Sequence, residues 1–179
     1  MKYQIDWFES EKVVEGLGLP INQLYCWTYA SDNKIALVSK DNEKWQFPGG
    51  KPKENEIDTE TLERELNEEI SLRLNQFQAT PKMFGYYIVT ESEDDGTLIK
   101  KYLQLRYFVK LSSKSEGIGI APNENKDEIG NDEVKYSKWF TIDEAKQLIS
   151  WLSGSKELVS FTKIGSNSHR LLESRSSMP

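Results

Sequence analysis

The amino-acid sequence predicts an α/β fold, a mixed β-sheet with helices packed against it. Two observations carry this. Segments with strand character are interrupted by a helical pattern, resume, and are followed by further helical patterns, the order expected of one sheet covered by helices. The chain has 179 residues, of which 37% are hydrophobic and 11% aromatic, enough for one sizeable core and the size of one domain.

The elements follow in chain order. Leu24–Ala30 and Lys34–Ser39 read as strands around a turn at Ser31-Asp32-Asn33, and Trp45–Phe47 as a short strand stopped by Pro48-Gly49-Gly50. From Asp58 to Leu72, Leu62, Leu66 and Ile70 recur at helical spacing, with Asp58 or Thr59 as the expected cap. Met83–Thr90 and Lys100–Leu111 are rich in aromatic and branched residues and flank a polar turn at Asp95-Gly96, which predicts a hairpin. The stretch 112–133 is polar, acidic and too long for a plain connection in a compact domain. Val134–Phe140 reads as a strand. Thr141 and Glu144 have capping-box spacing and open an amphipathic helix carrying Ile142, Ala145, Leu148, Ile149 and Leu152. A last helix is expected from Ser155 to Ile164, ending at Gly165. The expectation is one domain over residues 1–165 and a flexible tail over 166–179.

Charge and composition narrow the function. A formal net charge of -6 disfavours a long nucleic-acid footprint, although a bound cation can reverse the local field for a small phosphorylated ligand. Cys26 is the single cysteine, so no internal disulfide can form. The first residues, with Lys2, Asp6, Glu9, Glu11 and Lys12, lack the apolar core of a signal peptide, and no apolar run is long enough to span a bilayer. A cytoplasmic protein without a membrane partner is the expectation.

The chemistry concentrates between Gly50 and Leu72. Glu65, Glu68 and Glu69 share one helical face, while Leu62, Leu66 and Ile70 form the neighbouring stripe that packs on the sheet. A solvated acidic helix side would give the same charge run. Yet Glu68 and Glu69 sit at the helix end where negative charge is disfavoured, and Glu65 and Glu69 repel each other by roughly 0.2–0.5 kcal/mol if exposed. A hard divalent cation, which prefers oxygen ligands, removes the conflict.

The flanking residues sharpen this reading. Gly50 is followed after five residues by Glu56, and after seven more by Arg64-Glu65-Leu66-Asn67-Glu68-Glu69-Ile70-Ser71-Leu72, with Trp45-Gln46-Phe47-Pro48-Gly49-Gly50 leading in. In these positions the sequence resembles the Nudix hydrolase family (MutT-like). Ser71 departs from the pattern where the family has Gly, at a position that ends the helix in a left-handed conformation and where Ser costs about 1 kcal/mol. Asn55 tolerates the same conformation.

The resemblance implies an α/β/α sandwich and hydrolysis of a pyrophosphate linkage in a nucleotide-like small molecule. It implies Mg²⁺ or Mn²⁺ held by Glu65, Glu68, Glu69 and the Gly50 carbonyl, with Arg64 orienting the cluster. Glu56 would join the metal site or hold Arg64, and Gly49 and Trp45 would position the substrate, with core packing as the alternative for Trp45 and Phe47, which alternate with Gln46. The base is Glu68 or Glu69, or else an acid of the long loop: Glu124, Asp127, Glu128 or Glu133. Nucleoside triphosphates, nucleotide sugars, dinucleoside polyphosphates and capped RNA ends are all compatible, and a homodimer is left open. The alternatives are a catalytically silent nucleotide-sensing module and, with thin support from Cys26, an isomerase of isoprenoid diphosphates. His169 carries no role. Among the strand tyrosines Tyr86, Tyr87, Tyr102 and Tyr107, most are expected to pack and some could stack on a base.

Overall fold

A computed structural model describes residues 1–122 and 134–173. Eight strands form one sheet: β1 (Lys2–Glu9), β2 (Ile21–Tyr29), β3 (Lys34–Ser39), β4 (Trp45–Gln46), β5 (Gly49–Gly50), β6 (Lys82–Ser92), β7 (Leu98–Lys110) and β8 (Tyr136–Thr141). The order is β1-β6-β7-β2-β3-β4, with β5 added to β2 and β8 to β3. β2 and β7 run parallel and the other pairs antiparallel, so the sheet is mixed as expected.

Helices cover both faces. α1 (Asp58–Ile70) buries Leu62, Leu66 and Ile70 against Leu24, Cys26, Leu103 and Leu105 on one side of the sheet. On the other side α2 (Ile142–Leu148), the turn after it and α3 (Lys156–Glu173) place Ala145, Ile149, Leu152 and Phe161 against Trp27, Phe47 and Phe84. The period-two alternation of β2 divides the cores: Leu24 and Cys26 point to α1, while Trp27 stacks on Phe47 with ring centroids 4.2 Å apart. This is the α/β/α sandwich expected of the chain.

Several boundaries differ from the sequence reading. β1 was not expected. It is an edge strand, exposed along most of its length, and its pairing with β6 supplies what local pattern does not. The cap of α1 is Ile57, whose N–H donates to the Glu60 carboxylate at 3.0 Å, rather than Asp58 or Thr59. Asp58 instead accepts from the Tyr107 hydroxyl at 2.5 Å, which ties the start of α1 to β7. The Thr141–Glu144 capping box forms in both directions, at 2.7 and 3.2 Å, but α2 stops at Leu148. α3 runs through Gly165 to Glu173, since one glycine inside a helix costs only about 1 kcal/mol.

The end of α1 sets up the site. Ser71 takes the left-handed conformation, φ 53° and ψ 27°, and the bond from Ser71 N–H to the Asn67 carbonyl closes an αL cap, with Leu72 N–H reaching Leu66. Serine therefore reproduces the backbone that glycine would give. Its hydroxyl also donates to the Ala121 carbonyl at 2.7 Å, a tie that glycine cannot make.

Candidate active site

The acidic face of α1 meets the glycine bend at β5. Gly49-Gly50 pairs with Leu24-Tyr25 of β2, so the bend is clamped to the centre of the sheet. Gly49 has φ 147°, and a Cβ there would lie 2.0 Å from the Leu24 carbonyl oxygen; only glycine fits. Its N–H donates to Glu69 Oε2 at 2.7 Å. A Cβ on Gly50 would lie 2.2 Å from Glu65 Oε1, so the Glu65 carboxylate rests directly on the backbone of the bend. Glu65 and Glu69 are buried and Glu68 is half-exposed.

Arg64 organises this cluster. Its Nε and Nη2 donate to the two oxygens of Glu56 at 2.7 and 3.0 Å, the bidentate fork that suits a planar guanidinium. Nη1 donates to Glu65 at 2.6 Å and lies 3.5 Å from Glu68, and Nη2 reaches the Lys51 carbonyl at 3.0 Å. Glu56 is further held by Lys53 N–H at 2.9 Å and the Thr61 hydroxyl at 3.0 Å. The Arg64 hydrogen bonds, helped by these donors, hold the Glu56 carboxyl down at about 2. Glu56 raises the Arg64 guanidinium further in turn. Asn55, at φ 66°, turns the chain so that Glu56 faces Arg64.

These residues suit a divalent cation by donor chemistry: carboxylate oxygens from successive turns of one helix, with a backbone carbonyl beside them at a residue that has no side chain to obstruct it. As they stand, protein donors occupy the acids, and among the described residues no three acid, His or Cys side chains converge into a ready cage.

Across β2 from this cluster, on the α3 side of the sheet, lies a cavity of about 380 Å³ lined by Tyr25, Phe47, Tyr87, Gln104, Arg106 and Trp151 among others. The two sites share one piece of backbone: Phe47 leads into the Gly49-Gly50 bend, and Tyr25 pairs with Gly49.

A family model described as NUDIX domain matches residues 23–160. The chain belongs to the Nudix family.

The 8-oxo-dGTP diphosphatase of Buchnera aphidicola subsp. Schizaphis graminum is 41% identical over 66 residues, 37% of this chain and 46% of that protein. The match thus spans about half the length of that relative. Among solved structures, the Bacillus subtilis pyrophosphohydrolase BsRppH shares the fold over 90% of both chains at 18% identity and a TM-score of 0.59. An Ap4A hydrolase of C. elegans, solved as a binary complex, does so over 82% of this chain and 98% of its own at 14% identity and a TM-score of 0.57.

Within this Nudix domain, Gly49, Gly50, Glu56, Arg64, Glu65, Glu68 and Glu69 come together as one constellation. Trp45 does not join it. Its ring packs edge-on against Phe140 at 4.9 Å and its indole N–H donates to the Asn42 carbonyl, because residue 45 alternates onto the core face of β4. Glu124, Asp127, Glu128 and Glu133 lie outside the described residues. Cys26 is fully buried and burial pushes its thiol up to about 12, which leaves it unsuited to the isomerase chemistry. Tyr86 and Tyr107 pack in the α1 core, whereas Tyr87 reaches the cavity. Sequence reasoning missed Tyr25, Gln104, Arg106 and their partner Glu157. The available signal was Arg106 itself, a charge in the middle of an apolar strand. None of the described helices is long and apolar enough to cross a membrane.

Proposed function

We propose that this Nudix domain hydrolyses a pyrophosphate linkage in a small nucleotide substrate. The observation that carries the reading is the placement of Glu65, Glu68 and Glu69 of α1 against the Gly49-Gly50 bend, under the control of Arg64. The diphosphatase and pyrophosphohydrolase relatives support it by their named activities.

Glu65, Glu68, Glu69 and the Gly50 carbonyl would hold Mg²⁺ or Mn²⁺, which supplies charge neutralisation for the phosphates and acidifies water at neutral pH. The chain's own groups do the rest. Arg64 keeps the acids oriented by its fork and offsets part of their mutual repulsion. Gly49 N–H holds Glu69 in place. Glu68 is the most accessible of the three carboxylates and the first candidate to take the proton from the attacking water, with Glu69 second. The loop acids Glu124, Asp127, Glu128 and Glu133 remain the alternative base. The aromatic cavity beside the bend would hold the nucleoside.

The test is incubation with a panel of nucleoside triphosphates, nucleotide sugars and dinucleoside polyphosphates in Mg²⁺, with nucleoside monophosphate and phosphate release measured. Turnover that disappears in both Glu68→Gln and Glu69→Gln is expected. Tight nucleotide binding with no turnover of any substrate would overturn the reading in favour of a silent sensing module.

A further inference from the structure

Arg106 lies in the middle of β7, where its neighbours Leu103 and Leu105 belong to the α1 core, and it is only 5% exposed. A guanidinium in such a place is costly unless it is paired. Glu157 of α3, with no exposed surface, accepts from Arg106 Nε at 3.0 Å and from the Trp27 indole N–H at 2.7 Å. Tyr25 of β2 and Tyr87 of β6 come from the two strands that flank β7, and their ring centroids lie 4.5 and 5.0 Å from the guanidinium carbon. Both tyrosine rings thus lie against the guanidinium, which also lines the cavity.

The remaining donors can be counted. Of the five N–H groups of an arginine, one goes to Glu157, one from Nη1 to the Leu105 carbonyl at 3.3 Å, and one from Nη2 to Gln104 at 3.4 Å. Among the described residues, this leaves one donor on each terminal nitrogen. Two adjacent donors in one plane match two adjacent acceptors in one plane. Glu157 cancels the charge, so the fit is to a neutral pair of acceptors rather than to a phosphate or carboxylate.

We infer that Arg106 is a specificity-determining residue that reads the O6 and N7 edge of a guanine, making this a guanine-selective nucleotide pocket. Guanine offers adjacent acceptors at O6 and N7. Adenine sets an amino group beside N7 and would oppose donor to donor. Uracil and thymine flank each carbonyl with an N–H. Cytosine has an adjacent pair at O2 and N3, but a cavity of about 380 Å³ between aromatic walls is better filled by the two-ring purine. The inference takes from the pyrophosphohydrolase reading only that the ligand is a nucleotide.

Two measurements test it. In the first, kcat/KM is compared for GTP, ATP, CTP and UTP in Mg²⁺; a preference for GTP over ATP of roughly 10- to 100-fold is expected from one bidentate contact. In the second, calorimetry on the wild-type protein compares GMP, AMP and CMP, and GMP should bind tightest by a similar factor. Turnover of all four triphosphates within threefold of one another, or a preference for CTP and CMP, overturns the inference while leaving hydrolysis intact. Preferential GMP binding without turnover of any triphosphate upholds it and sinks the hydrolytic reading instead. Arg106→Met together with Glu157→Gln removes the fork without stranding a buried charge. That pair should lose the base preference, with kcat/KM for GTP falling toward that for ATP, chiefly through KM. Should the double variant fail to fold, the wild-type comparison decides alone.

Discussion

Replacing Arg64 by Met keeps most of the aliphatic stem and removes the guanidinium. The loss comprises two bonds to Glu56, one to Glu65, one to the Lys51 carbonyl and the longer contact with Glu68. Stripping one partner from a fully buried ion pair costs roughly 3–5 kcal/mol. Here the side chains of Arg64, Glu56 and Glu65 are 19%, 18% and 12% exposed, and Glu56 keeps its bonds from Lys53 and Thr61. Water can reach the orphaned carboxylates in part, which brings the expected loss to about 2–3 kcal/mol. With a urea dependence near ~2 kcal/mol/M, the unfolding midpoint should fall by about 1–1.5 M. Chemical denaturation followed by tryptophan fluorescence and circular dichroism measures this. A cycle with Glu56→Gln should show a coupling of about 1–2 kcal/mol, because the two side chains touch. A midpoint shift below about 0.3 M, or strictly additive single substitutions, would refute the view that Arg64 organises the cluster.

The neighbouring glycines should behave differently from each other. Gly49→Ala forces a Cβ onto the Leu24 backbone at positive φ and should destabilise the domain by about 2–4 kcal/mol. Gly50→Ala meets only the end of the Glu65 side chain; it should leave the melting temperature nearly unchanged and lower catalytic activity about 10- to 100-fold, and equal melting losses in the two variants would contradict this. Glu56 should titrate at about 2 by carbon-detected NMR, and clearly higher in Arg64→Met, which removes the largest cause of the lowering. Because the folded value is the lower one, this contribution to stability is present above pH 4.5 and is lost as pH falls toward 2; a wild-type midpoint above 4 would show that the fork does not hold it. Cys26, fully buried with its thiol pushed up to about 12, should be alkylated by iodoacetamide in native protein no faster than the protein unfolds, and rapid labelling at pH 8 would show that β2 is open.

The motif between Trp45 and Leu72 was legible because it is local. Glu65, Glu68 and Glu69 share a face through helical periodicity alone, and the left-handed turn at Asn55 is one that asparagine tolerates. Pairing with Arg64 could be named as one of two roles for Glu56 because that acid lies just before the helix that carries the arginine. Trp45 stayed ambiguous between substrate contact and core for the same local reason: its place next to the bend says nothing about which face of β4 it occupies, and Phe140, distant in sequence, claims it for the core.

What the sequence determined by itself is the hydrophobic alternation of the strands, the helical stripe of α1 and the spacing of the acids with their arginine. Those patterns depend on neighbours a few residues apart. Only the tertiary structure decided that Lys2–Glu9 is an edge strand, that α3 brings Glu157 to Arg106, and that Tyr25 and Tyr87 close on the same guanidinium. Most of those unions join segments dozens of residues apart, and the free energy that selects them comes from burying apolar surface and pairing buried polar groups across the whole sheet. No short window of sequence contains either quantity.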